Sequence, residues 1–192
     1  MRDQIREYRR RGFRIIYLDE MMVTTRTMPT HEWSLKNTNA TISYHQFEQK
    51  AISAIAAISA QLGLDMVMLF DKSVNRDKFK VFLQEIRDRY PFDDIALYMD
   101  NLAVHKSLEI RERIDELGFE YVYGPAYSPD FNPVETIFSS AKGYVKKQRL
   151  AAVINGYEVD LWKLIHEAFD VIDVLKVVNS IEHSDKLLFG YK

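Results

Sequence analysis

Two short apolar runs, each closed by an aspartate, constrain this chain more than any other feature. RIIYLDE carries Asp19 and IALYMDN carries Asp100. Both runs are rich in β-branched and aromatic residues, the composition of a buried strand. A sheet interior strongly penalises an unpaired charge. Each aspartate therefore either opens a turn or holds a charge with a use. In open α/β sheets ligands gather beyond strand ends. If the two strands are neighbours, Asp19 and Asp100 face one another there.

The segments between them alternate in period. NRDKFKVFLQEIRDRY places Phe79, Phe82, Leu83, Ile86 and Tyr90 on one helical stripe, and Pro91 ends it. After the strand at 95–99, residues 104–117 read as a second helix that carries His105 and Lys106 and is closed by Gly118. FEYVY, 119–123, is another strand. GPAYSPDFNP then holds three of the five prolines and reads as a rigid loop, followed by a helix over about 133–149. After Gly156 the chain is helical, as one long helix or two. Strands alternating with helices predict an α/β sheet covered by helices. KAISAIAAISAQLG is ambiguous. Ile52, Ile55 and Ile58 recur at every third residue, as in a helix, while Gly63 and LDMVMLF after it suit a pair of strands. Residues 20–45 read as a loop with one strand near ATISYH.

Glu135 is a third carboxylate of interest. Asn132 suits a helix cap, Pro133 the first turn, and Glu135 stands at capping-box spacing, so a structural role is open to it. Yet Val134, Ile137, Phe138, Ala141 and Val145 form the buried stripe, and Glu135 shares another face with Ser139, Lys142 and Lys146. The chain has no cysteine. Any metal is therefore held by carboxylates or histidines, which favours hard cations such as Mg²⁺. Clustered carboxylates repel one another, and a cation relieves that repulsion. The net charge is −2, but basic residues gather at Arg6, Arg9, Arg10, Arg11 and Arg14, and again at Lys142, Lys146, Lys147 and Arg149. Such patches are either solvated helix faces or phosphate contacts.

At these residues the chain resembles the catalytic domain of mariner-type transposases, in the ribonuclease H-like, retroviral-integrase-like superfamily. YLDE, MDNLAVHKS and YSPDFNPVETIFSSAKGYVKK resemble its three motif blocks, and 34 residues separate Asp100 from Glu135, the spacing typical of that family. The resemblance implies a ribonuclease H-like α/β fold: a five-stranded mixed sheet flanked by helices, with KAISAIAAISA as a strand and a helical C-terminal tail. It implies that Asp19, Asp100 and Glu135 are catalytic and hold two Mg²⁺, for which Mn²⁺ can substitute. The implied activity is cleavage of double-stranded DNA at transposon ends followed by strand transfer to a target, by a homodimer on the DNA. Asn101 and His105 match positions beside the site, where they orient Asp100 or touch DNA. Lys106, Lys142, Lys146 and Lys147 join them as DNA-binding candidates. Tyr127, Ser128, Pro129, Asn132 and Pro133 match the loop that positions the glutamate helix. Glu20 either assists the site or is a solvated neighbour of Asp19.

The expected organisation is a linker helix over 1–12 that follows a DNA-binding region, a catalytic domain over 13–150, and C-terminal helices over 151–192 packed on the same domain. The expected location is the nucleus in a eukaryote and the chromosome-bearing cytoplasm otherwise, with no membrane partner. Three other readings share the pattern: a ribonuclease H-like nuclease of another type, a domesticated DNA-binding or scaffold protein, and an oligomerisation module using Trp162 and Phe169.

Overall fold

RIIYLDE and IALYMDN become neighbouring strands, β1 (Arg14–Thr24) and β4 (Ile95–Met99), paired in parallel from Arg14↔Ile95 to Tyr17↔Tyr98. The computed structural model describes residues 1–24, 27, 51–102, 104–126 and 128–190. The strand expected near ATISYH lies outside them, as does Tyr127 of the proline-rich loop. The ambiguous alanine-rich segment is β2 (Ala51–Ser59), and LDMVMLF lies in β3 (Gly63–Asp71). With β5 (Glu120–Tyr123) they form a five-stranded sheet in the order β3-β2-β1-β4-β5. The first three strands are antiparallel and the last three parallel, so the sheet is mixed as expected.

Side chains alternate across the sheet, and the two faces carry separate cores. Ile15, Tyr17, Met21 and Val23 of β1 pack toward α1 (Arg2–Arg10), α4 (Val134–Asn155), α5 (Leu161–Asp170) and α6 (Val174–Phe189). Ile16 and Leu18 pack toward α2 (Arg76–Arg89) and α3 (Leu108–Glu116). The tail is thus two helices rather than one. Phe169 is buried there, edge-on to Phe138 at 6.4 Å, so it is a core residue. No helix among the described residues is long and apolar enough to cross a membrane.

Three boundaries differ from the sequence reading. β1 does not end at Asp19. It runs on to Thr24, because β2 continues to pair with it to Thr24↔Ala51 after β4 has stopped. Asp19 therefore lies inside β1 but just past the end of the β1–β4 ladder. The helix expected over 104–117 begins only at Leu108, with Ser107 at its N-cap, so His105 and Lys106 occupy the turn before it. The helix expected over 133–149 runs to Asn155 and stops at Gly156, which adopts the left-handed conformation with φ 70°. It passes through residue 150 without a break.

Candidate active site

Asp19, Asp100 and Glu135 line one cleft of about 340 Å³, together with Asn101, Asn132 and Gly124. They come from β1, the end of β4 and the first turn of α4. Alternation along β1 directs Asp19 to the same face as Tyr17 and Met21, the face covered by α4. Glu135 is exposed on α4, opposite its buried stripe. The capping-box role is not realised, since the Asn132 N–H donates to the Pro129 carbonyl at 2.8 Å rather than to Glu135.

Each aspartate is anchored on its own side. Asp19 is buried, at 7% exposure. Its Oδ1 accepts from the Glu20 backbone N–H at 2.7 Å, and its Oδ2 accepts from Asn132 Nδ2 at 3.0 Å. The other amide atom of Asn132, Oδ1, accepts from the Val134 N–H at 3.3 Å. Asn132 thus joins the start of α4 to β1. Asp100 Oδ1 accepts from the Leu102 N–H at 3.1 Å and from His105 Nδ1 at 2.7 Å. These two hydrogen bonds hold Leu102 and His105 back against Asp100 ahead of the helix. Gly124 is required by close approach: a Cβ there would stand 2.7 Å from the Tyr98 hydroxyl.

His105 is fully buried and hydrogen-bonds Asp100 through Nδ1. Its Nε2 donates to Glu20 Oε1 at 3.0 Å and its ring stacks on Phe79 at 4.7 Å. Ionised carboxylates only accept hydrogen bonds, so both ring nitrogens donate. Burial alone would lower its pKa, but the hydrogen bonds and charges of Asp100 and Glu20 outweigh it and raise the pKa to about 10. Glu20 is therefore not a solvated neighbour. β1 continues as a strand through it, so it points to the α2 face with Ile16 and Leu18. The signal was present in the two-residue alternation, but it requires β1 to run past Asp19.

The cleft suits a cation. Burial is the largest cause that raises the Asp19 pKa, to about 7, and the charges of Glu20, Asp100 and Glu135 raise it further against the Glu20 N–H. Asn101 Oδ1 is buried without a hydrogen-bond partner. The donors are oxygens, the set that Mg²⁺ prefers. Among the described residues no three His, Asp or Glu side chains are closed on one point at metal-binding spacing. The carboxylates surround the cleft instead.

The basic residues divide. Arg9 pairs with Asp185, Arg10 with Glu7 and Arg14 with Asp93. Arg6 and Arg11 lie over the Phe189 and Phe13 rings. Arg149 is buried, donating to the Thr24 and Thr27 carbonyls. Lys106 is exposed with its ammonium 5.5 Å from the Tyr123 ring centre. Lys142 and Lys146 are half-buried and Lys147 is exposed on α4.

Residues 14–155 match the family described as DDE superfamily endonuclease. The chain belongs to that family. The comparison with curated proteins gives no match. The chain's fold resembles the Mos1 strand transfer complex, with TM-score 0.72 and 16% identity over 97% of this chain and 56% of that one. The Mos1 transposase paired-end complex with left transposon end gives TM-score 0.71 and 18% identity over 98% of this chain and 59% of that one. The Mos1 transposase catalytic domain with raltegravir and Mn gives TM-score 0.60 and 16% identity over 97% and 88%. At these identities the likeness is one of fold. The chain spans just over half the length of the Mos1 chains in these two complexes.

Proposed function

We propose that the chain is the catalytic core of a mariner-type DNA transposase. It cuts DNA at transposon ends and joins the freed 3′-hydroxyl to target DNA. The observation that carries this reading is the convergence of Asp19, Asp100 and Glu135, from three separate elements, on one cleft. Membership of an endonuclease family supports phosphodiester chemistry. The likeness of fold to Mos1 complexes of strand transfer and paired transposon ends supports DNA as the substrate, and the acting form we propose is a homodimer.

Asp19, Asp100 and Glu135 would hold two Mg²⁺, or Mn²⁺ in their place. The chemistry such ions supply is an activated oxygen nucleophile and a stabilised leaving oxygen in an in-line displacement. The protein's part is placement. Asn132 holds Asp19 against the start of α4, and His105 holds Asp100 at the end of β4. Glu135, on an exposed helical turn, has the side-chain freedom to close on a cation. Lys106, Lys142, Lys146 and Lys147 offer positive charge to the DNA backbone.

The test substrate is duplex DNA carrying inverted repeats, taken from the sequence flanking the gene where that sequence contains them. A duplex carrying them is expected to be cut with Mg²⁺ or Mn²⁺, and to stay intact with Ca²⁺ or EDTA. Asp100→Ala should abolish the cut. Cleavage that survives this substitution overturns the assigned role.

A further inference from the structure

Glu20 follows Asp19 in β1, yet alternation sends the two carboxylates to opposite faces of the sheet. Asp19 faces α4 and the cleft. Glu20 faces α2, where its Oε1 accepts from His105 Nε2 at 3.0 Å. The opposite ring nitrogen of His105 meets Asp100 Oδ1 at 2.7 Å. The ring has no room to turn. It is wholly buried, stacks on Phe79 at 4.7 Å, and has its backbone carbonyl held by the Tyr123 hydroxyl at 2.8 Å. Glu20 itself is mostly covered, with 17% of its side chain exposed, and lies outside the residues lining the cleft. A buried carboxylate facing away from the cleft is costly unless it is paired. Its hydrogen-bonded partner here is the imidazole that grips Asp100.

We infer that Glu20 is a positioning residue, which fixes the orientation of Asp100 through His105 and thereby sets the cation affinity of the cleft. The inference rests on the reading of Asp100 as a metal ligand. Groups that hydrogen-bond to metal-binding side chains set their orientation and basicity, and their removal typically costs about 10- to 100-fold in metal affinity or activity. In this chain the support passes across the sheet. The same strand supplies Asp19 to one face and, through Glu20, a brace for Asp100 to the other.

Mn²⁺ alone is a sufficient probe. Binding is followed by the electron paramagnetic resonance of free Mn²⁺ in wild type, Glu20→Ala, Glu20→Gln, Asp100→Asn and the double variants, with folding checked by thermal melts. Glu20→Ala is expected to weaken Mn²⁺ binding by about tenfold or more. Glu20→Gln, which keeps a hydrogen-bonding group beside Nε2, should recover most of that loss, and it also covers the case in which the alanine variant fails to fold. Because Glu20 acts through Asp100, Glu20→Ala should have no further effect once Asp100→Asn is present. Unchanged Mn²⁺ affinity in a folded Glu20→Ala protein overturns the inference, as does an equal loss in both backgrounds. A wild type that takes up no Mn²⁺, or an Asp100→Asn variant that binds it fully, would instead overturn the underlying assignment of Asp100.

Discussion

At the scale of single residues, Asp19 carries the least comfortable charge in the cleft. Its folded pKa is raised from 3.8 to about 7. A carboxyl raised in this way is protonated more readily folded than unfolded. The folded state is therefore destabilised as pH rises from about 4 to about 7. A cation in the cleft replaces that proton. Millimolar Mg²⁺ should accordingly raise the melting temperature little in acid, and progressively more as pH approaches and passes 7. His105, with its pKa raised to about 10, stays charged across this window. Melting curves with and without Mg²⁺ across the pH range test this, and a stabilisation independent of pH would contradict it. The three carboxylates that line the cleft stand out in the sequence, because apolar runs closed by aspartate and a helix-start glutamate are local patterns. Glu20 and Asn132 were less legible. Their partners, His105 and Asp19, lie 85 and 113 residues away in the chain.

At the scale of elements, strand pairing settled what local pattern left open. β2 was ambiguous in sequence, because its isoleucines recur every third residue while Gly63 and the apolar run after it suit strands. It is a strand buried on both faces, so the usual alternation is absent. β1 seemed to end at Asp19 because its apolar run with β4 ends there, but β2 extends it to Thr24. Periodicity could not decide whether the tail aromatics serve packing or a dimer, and Phe169 packs on Phe138. Phe169→Ala should therefore cost about 3–5 kcal/mol, as for a large core truncation. Denaturant unfolding of the chain should keep a single transition, since α5 shares its core with α4 and the sheet. A separate early transition for the tail would refute that unity. Gly124→Ala should also destabilise, by about 1–3 kcal/mol, because the new methyl meets the Tyr98 hydroxyl in the wall of the cleft. A double variant with Tyr98→Phe should recover part of the loss.

At the scale of the whole molecule, charge is the quantity that composition describes least well. A net charge of −2 suggests no affinity for DNA. The folded chain, however, sorts its basic residues. Arg9, Arg10 and Arg14 are neutralised by Asp185, Glu7 and Asp93, and Arg149 is turned inward to backbone carbonyls. Lys142 and Lys146 differ from them. Among the described residues they form no ion pair, and the α-helical repeat places them on the Glu135 side of α4. DNA entering the cleft would meet this line of charge. Each phosphate neutralised by a lysine releases counterions, contributing about 0.9 to the slope of log affinity against log salt. The chain should therefore bind duplex DNA weakly, and lose that binding as salt rises. Lys142→Ala with Lys146→Ala should reduce the slope by about two, while Arg10→Ala, which breaks only an exposed intrahelical pair, should leave it unchanged. Fluorescence anisotropy across a salt series measures both. A slope unaffected by losing the two lysines would move the DNA path off α4, and an equal effect from Arg10 would mean that binding follows total charge rather than this face.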